Sequence, residues 1–195
     1  MERTISLKDI APLAVYRRSR EDYVKRMIDY KRARRIKLSP YISILFENRD
    51  TVLFQIRELA HSEDLTDPEE LAVYIEIYSG MLPGDHELSA TLFIEMDEQQ
   101  KLQDLLVALK GIEHHLTLQV GDVIVPAVFE EVHDDREFTT SVHYLKFPLG
   151  QAALDAFAAI GNGDTISMLL SLDHPNLQAS VSLARDTIDS LVNDL

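Results

Sequence analysis

The sequence contains no cysteine. That absence excludes disulfides, thiolate zinc sites, cysteine-ligated iron–sulfur clusters and a cysteine nucleophile together. It suits a reducing compartment, and the cytosol is the expected one. Met1-Glu2-Arg3-Thr4 lacks the apolar run of a secretory signal. No stretch reaches the roughly 18 to 20 apolar residues that a spanning helix needs, so no membrane association is expected. Aromatic residues make up 7% of the chain and are not interleaved with its basic cluster, which argues against a base-stacking RNA platform. Glycine is sparse, and no Gly-rich phosphate loop, Gly-x-Ser-x-Gly elbow or His-Glu-x-x-His zinc motif is present. The chain carries no familiar catalytic signature, and no cofactor is required by it.

What is present suits a folded chain with a real core. Of 195 residues, 46% are hydrophobic and 27% charged, and one domain over residues 1–195 is the expectation. Charge is unevenly distributed. Residues 1–40 hold 12 of the 19 Lys and Arg against 5 acids, a net +7, and the remaining residues carry −21. A basic segment of this kind either binds an anionic partner or lies across the acidic body of its own or a second subunit. The −21 elsewhere opposes phosphate binding, so nucleic acid from Arg17 to Lys37 is the weaker reading.

The coarse pattern reads as follows. Leu7, Ile10, Leu13, Val15 and Tyr16 form a docking segment, and Ser19 caps a helix from about Arg20 to Ala33, with Tyr23, Val24, Met27, Ile28 and Lys31 on its buried face. Ile36 and Leu38 are strand-like, Pro40 turns the chain, and Ile42, Ile44 and Phe46 alternate as a second strand. A helix follows from about Asp50 to His61. Asp67 and Pro68 open another, which Gly80 ends. Leu88 to Met96 is a strand, and Asp97 with Gln100 resembles a capping box before a helix that closes at Gly111. Strands are then expected at Leu116 to Val120, Val123 to Glu131, Ser141 to Phe147, Ile166 to Leu172 and Leu177 to Leu183. Helices contain Leu154, Phe157 and Ile160, and span Arg185 to Asp194. Strands joined by hairpins and interspersed with helices indicate an α+β fold: mainly antiparallel sheets with packed helices, helix-rich in the first half and strand-rich in the second.

Several polar residues carry possible chemistry. Thr51, Gln55 and Glu58 share a helix face just after Glu47 and Arg49, either as a solvated stripe or as a cleft wall. Glu58-x-x-His61 has the i, i+3 spacing of dimetal carboxylate helices, and Glu130-x-x-His133 repeats it in strand and loop, where the helical geometry fails. His143 lies mid-strand and is expected to be at least partly covered. His174 sits in the turn Asp173-His174-Pro175, and His114 and His115 follow a helix end. Each histidine alone is more often structural than a ligand. Glu58, His143 and His174 are the candidate metal ligands, and Arg34, Arg35 and Lys37 the candidate anion or partner site.

Arg34-Arg35-Ile36-x-Leu38-x-Pro40, Leu45-Phe46-Glu47-Asn48-Arg49-x-Thr51 and Gln55-Ile56-x-Glu58 occur here in order. They are followed by Leu88-x-Ala90-Thr91-Leu92-x-x-Glu95, Ser141-Val142-His143-Tyr144-Leu145-x-Phe147 and Leu172-Asp173-His174-Pro175. Together they resemble a bacterial family of unknown function across essentially the whole chain. The resemblance implies an accessory protein encoded near rubrerythrin-like and iron–sulfur oxidoreductase proteins, and draws Arg49, Gln55, Glu58, Glu95, His143 and His174 into one polar set. The leading expectation is therefore an interaction protein of cytosolic redox or stress metabolism that assembles with copies of itself. The alternatives are a metal-dependent or small-molecule enzyme built on that set, with a divalent metal, and a nucleic-acid binder.

Overall fold

The computed structural model describes residues 4–129 and 137–195. The first half comprises α1 (Leu13–Arg32), β1 (Arg35–Lys37), β2 (Ile42–Glu47), α2 (Arg49–Ser62), α3 (Pro68–Ser79), β3 (Glu87–Ile94) and α4 (Gln99–Ala108). The second comprises β4 (Leu116–Val120), β5 (Val123–Pro126), β6 (Val128–Phe129), β7 (Val142–Pro148), α5 (Gln151–Gly161), β8 (Met168–His174), β9 (Leu177–Ser182) and α6 (Arg185–Val192). Every strand pairing is antiparallel. Sheet A has the order β1-β2-β3-β7-β6 and sheet B the order β5-β4-β8-β9. This is the α+β class that the hairpin-rich pattern indicates.

Register decides which side chains meet. On the inner face of sheet A, Ile44 opposes Leu92 and Leu92 opposes His143, while Phe46, Ala90 and Leu145 form the next row. These side chains merge with Leu118 and Leu170 of sheet B, Phe157 and Ile160 of α5, and Ile188 and Leu191 of α6 in one hydrophobic core. A smaller core lies among Ile5, Val52, Ile56, Ile75 and Met81, so α2 and α3 form a second layer with the N-terminal segment. β2 is buried along its whole length, on both faces, rather than alternating as its sequence suggests.

Four local expectations are corrected. α1 starts at Leu13, not near Arg20: the extended Pro12 is its N-cap, and Ser19 lies inside it with its hydroxyl donated to the Tyr16 carbonyl. The face turned inward carries Tyr16, Arg20, Tyr23, Met27 and Lys31, because Arg20 has an acid waiting on α2; Ile28 is 56% exposed. The Asp97–Gln100 box does not form, since Glu98 holds the N-cap position and its side chain pairs with Lys101 instead. The strand after Val123 does not continue through Glu131. Pro126 ends β5, and Val128–Phe129 crosses to pair with β7 in sheet A. Glu130 and His133 lie outside the described residues.

The junction after α1 is held by a buried cation. Arg34 is fully buried, so it is not the surface anion site expected from sequence. Its Nε donates to the Phe46 carbonyl at 2.9 Å, one terminal nitrogen reaches Ser190 Oγ at 2.9 Å, and the other reaches Asp194 at 2.6 Å. Asp194 also accepts from the Asn48 amide at 2.8 Å, and that amide reaches the Tyr30 hydroxyl at 2.6 Å. Asn48 is in turn the N-cap of α2: its Oδ1 accepts from the Asp50 and Thr51 amides, and Thr51 Oγ1 accepts from the Asn48 amide. One charge pair thus connects the end of α1, the end of β2, the start of α2 and the C-terminal residues. Removing one partner leaves the other charged and buried, at a cost of about 3–5 kcal/mol. Arg34→Ala should lose stability on that scale in urea unfolding, and Arg34→Ala with Asp194→Ala should lose less than the sum of the singles; additive losses below about 1 kcal/mol each would contradict the assignment.

Candidate functional site

The outer face of sheet A presents Ser43, Leu45 and Glu47 from β2 beside Phe93, Thr91 and Ser89 from β3, with Val142, Tyr144 and Lys146 from β7 next to them. α2 covers the Glu47 end. Gln55 donates to Glu47 Oε1 at 3.0 Å and Thr91 Oγ1 donates to the same oxygen at 2.7 Å. Glu47 is only 2% exposed, and its second oxygen, Oε2, is buried without a hydrogen-bonding partner among the described residues. A buried carboxylate oxygen left unmatched is costly, so such an atom marks a position with a demand for a donor. Lys31 approaches from the last turn of α1, its ammonium 4.6 Å from the Phe54 ring centroid. Burial lowers its pKa; Glu47 opposes this and Arg35 reinforces it. Tyr144 is pushed above the usual phenol range by burial, then by Tyr78 and Glu47.

The other end of this face is basic and open. Arg35 reaches Ser43 Oγ at 3.0 Å and Glu95 at 3.0 Å, with its guanidinium 4.7 Å from the Phe93 ring centroid. Ser43 Oγ also donates to Glu95. Arg32, Arg35, Lys37, Ser39, Tyr41 and Glu95 surround a groove of about 370 Å³ there. Three cations face one acid in its wall. Ser43 and Glu47 are four residues apart on one strand, so the two ends of the face lie about 13 Å apart.

The six residues grouped from sequence do not form one cluster. Arg49 pairs with Asp9 and donates to the Thr4 carbonyl, which straps the N-terminal segment to α2. Gln55 serves Glu47 and Glu95 serves Arg35. Glu58 accepts from Tyr16 at 2.7 Å and from both Arg20 nitrogens at 2.8 and 2.6 Å. His143 lies on the inner face with Nε2 at 2.9 Å from the Thr140 carbonyl, which places its proton on Nε2. His174, on sheet B, donates from Nε2 to the Lys110 carbonyl and accepts from the Asn176 amide, organising its own turn. The proposed metal trio Glu58, His143 and His174 therefore occupies α2, sheet A and sheet B separately. Among the described residues, no three His, Asp or Glu side chains are grouped to hold a metal ion. His61 is taken up by Arg17 at 3.4 Å and by the edge of Tyr16.

Of the central stripe, Thr51 caps its helix, Gln55 faces the sheet and Glu58 faces α1, so it is neither a solvated stripe nor a single cleft wall. The sequence sets Glu47 beside the stripe without showing that Gln55 and Thr91 both hold its carboxylate. The available signal was an acid closing the apolar run Ile42 to Phe46, directly before a helix cap.

Burial pushes the Glu58 pKa up, but hydrogen bonds from Arg20 and Tyr16 outweigh it and hold the carboxyl below its ordinary 4.5. A depressed folded-state pKa contributes stability that is present above about pH 4.5 and lost as pH falls through the folded value. Glu58→Gln should therefore lower stability by about 1 kcal/mol at pH 7, with the difference from the parent shrinking below pH 4.5 in thermal melts. A difference that grows in acid would contradict the pairing.

The chain matches the family of proteins of unknown function DUF3501 over residues 4–195. It is also similar to a crystal structure of a protein of unknown function from Burkholderia pseudomallei K96243, with 28% identity and a TM-score of 0.90 over 98% of this chain and 99% of that one. No curated protein matches it. With the family match spanning all but the first three residues, this chain belongs to the DUF3501 family.

Proposed function

We propose that this protein is an accessory binding protein that receives an anionic ligand, a carboxylate or a phosphate, in the groove at the β1 edge of sheet A. The observation that carries this reading is the groove wall itself: Arg35 and Lys37 against the single acid Glu95, beside Arg32, which is paired with Asp29, and with the Ser39 and Ser43 hydroxyls between them. Arg35 is held in place from behind by Ser43 and Phe93, so a guanidinium edge is pre-oriented at modest entropic cost. The groove accounts for Arg35, Lys37 and Glu95 of the sequence candidates. Arg49, Glu58, His143 and His174 are engaged in contacts that brace the fold. The resemblance supports a redox or stress setting, with a rubrerythrin-like or iron–sulfur oxidoreductase protein as the partner served.

Nucleic acid is a poorer fit for the basic segment. Arg17, Arg20, Lys25 and Arg32 of α1 are paired with Asp64, Glu58, Glu21 and Asp29, which leaves no continuous cationic track along the helix.

Titration calorimetry with malonate and with inorganic phosphate at low salt tests the reading. Binding should weaken about tenfold in Arg35→Ala and fall further in the double variant with Lys37→Ala, and 0.5 M salt should suppress it. Binding unchanged by both substitutions would refute the groove.

A further inference from the structure

The second hydrophobic layer does not close on itself. Where the segment before α1 meets α2 and the start of α3, Ile10, Leu13, Ala60, Leu65 and Leu71 line a groove of about 400 Å³. Protein interiors rarely leave gaps larger than a water molecule, whereas small-molecule sites have this size and this largely apolar lining. Apolar wall of this kind stays wetted until something covers it, and covering it is favourable in proportion to the area removed from water.

One cation stands in that wall. Arg57 of α2 lines the same groove and is half-buried. One of its terminal nitrogens donates to the Asp9 carbonyl at 2.7 Å, and its guanidinium carbon lies 5.2 Å from the Tyr23 ring centroid. Its Nε is buried and has no hydrogen-bonding partner among the described residues. The acids at this end of the molecule are taken by other cations: Asp9 by Arg49, Glu58 by Arg20 and Asp64 by Arg17. Arg57 is thus left without a carboxylate among the described residues. A half-buried guanidinium with no counter-charge is costly, and an incoming anion relieves that cost. The opening turn of α1 borders the groove through Leu13 and Ala14. It carries no acid and no side-chain cap, so the helix dipole also favours negative charge there.

We propose that this groove binds a monocarboxylate with an apolar chain, of the fatty-acid class. The chain lies against Ile10, Leu13, Leu65 and Leu71, and the carboxylate turns to Arg57. The combination of wall and charge fixes the occupant. A neutral apolar molecule would leave the guanidinium unmatched, and a small dianion would leave the apolar wall wet. The groove at the β1 edge differs in both respects, because Arg35 and Lys37 stand there beside Ser39, Ser43 and Glu95. That wall suits a small polar anion. The two sites take different chemistry, and this inference does not rest on the anion-groove reading.

Titration calorimetry of the intact protein with butyrate, hexanoate and octanoate, below their micellar concentrations, tests the assignment, with octan-1-ol as the uncharged comparison. Each added pair of carbons should tighten binding about tenfold, as expected when most of each CH₂ leaves water. Arg57→Gln, which keeps a donor for the Asp9 carbonyl, should weaken octanoate about tenfold and leave octan-1-ol unchanged. Ala14→Phe sets a ring in the groove from an exposed position and should weaken both ligands. Matched circular dichroism spectra confirm that the variants fold. Arg35→Ala should leave octanoate binding intact, and Arg57→Gln should leave malonate binding intact, so failure of one site is separable from failure of the other. Equal binding of butyrate and octanoate, or octanoate binding indifferent to both Arg57→Gln and Ala14→Phe, overturns the proposal. So does a dimer in sedimentation that Ala14→Phe dissociates and octanoate does not, because a second copy of the chain then covers the groove.

Discussion

The buried pair of Arg34 and Asp194 is the interaction on which the arrangement depends. It joins the junction between α1 and β1 to the end of β2 and to the C-terminal residues. Arg34 offers its planar guanidinium to the Phe46 carbonyl, Ser190 and Asp194 at once, and Asp194 returns a bond from the α2 cap residue Asn48. Buried charges do not in general make a protein more stable than an apolar replacement would. What this pair supplies is position: it sets where β2 stops and α2 begins, and hence where Glu47 points.

From that placement the outer face follows. Glu47 closes β2 one residue before the Asn48 cap, under Gln55 of α2 and against Thr91 of β3. β1, which begins immediately after Arg34, delivers Arg35 and Lys37 to the same side, opposite Leu45 and Ser43. The motif that distinguishes this chain, Leu45-Phe46-Glu47-Asn48-Arg49-x-Thr51, is thus mostly structural grammar: two core residues, a cap, its reciprocal threonine and a strap to Asp9. Among the described residues, Glu47 is the member of that motif left with an unmatched atom.

Much of the fold was legible in the sequence because its signals are local. Asp67-Pro68 begins α3 as a cap and first-turn proline should, Gly80 ends it, and the alternation of Leu88, Ala90, Leu92 and Ile94 is the inner face of β3. What was not legible depends on partners distant in sequence. Arg20 reads as solvent-facing until Glu58, 38 residues on, is placed opposite it. Arg34 reads as a surface cation until Asp194, 160 residues on, reaches it. The grouping of Arg49, Gln55, Glu58, Glu95, His143 and His174 failed for the same reason. Each is the visible half of a separate contact, and motif order carries no information on whether such contacts converge.

The anion groove proposed at the β1 edge lies on the outer face of sheet A. The most direct measurement is a map of backbone amide chemical-shift changes as malonate is added to the isotopically labelled protein. Changes are expected to concentrate on Arg35, Ser43, Phe93 and Glu95 and to extend along β2 toward Glu47, with His174 and the strands of sheet B silent. Changes confined to sheet B, or centred on His174, would contradict that placement.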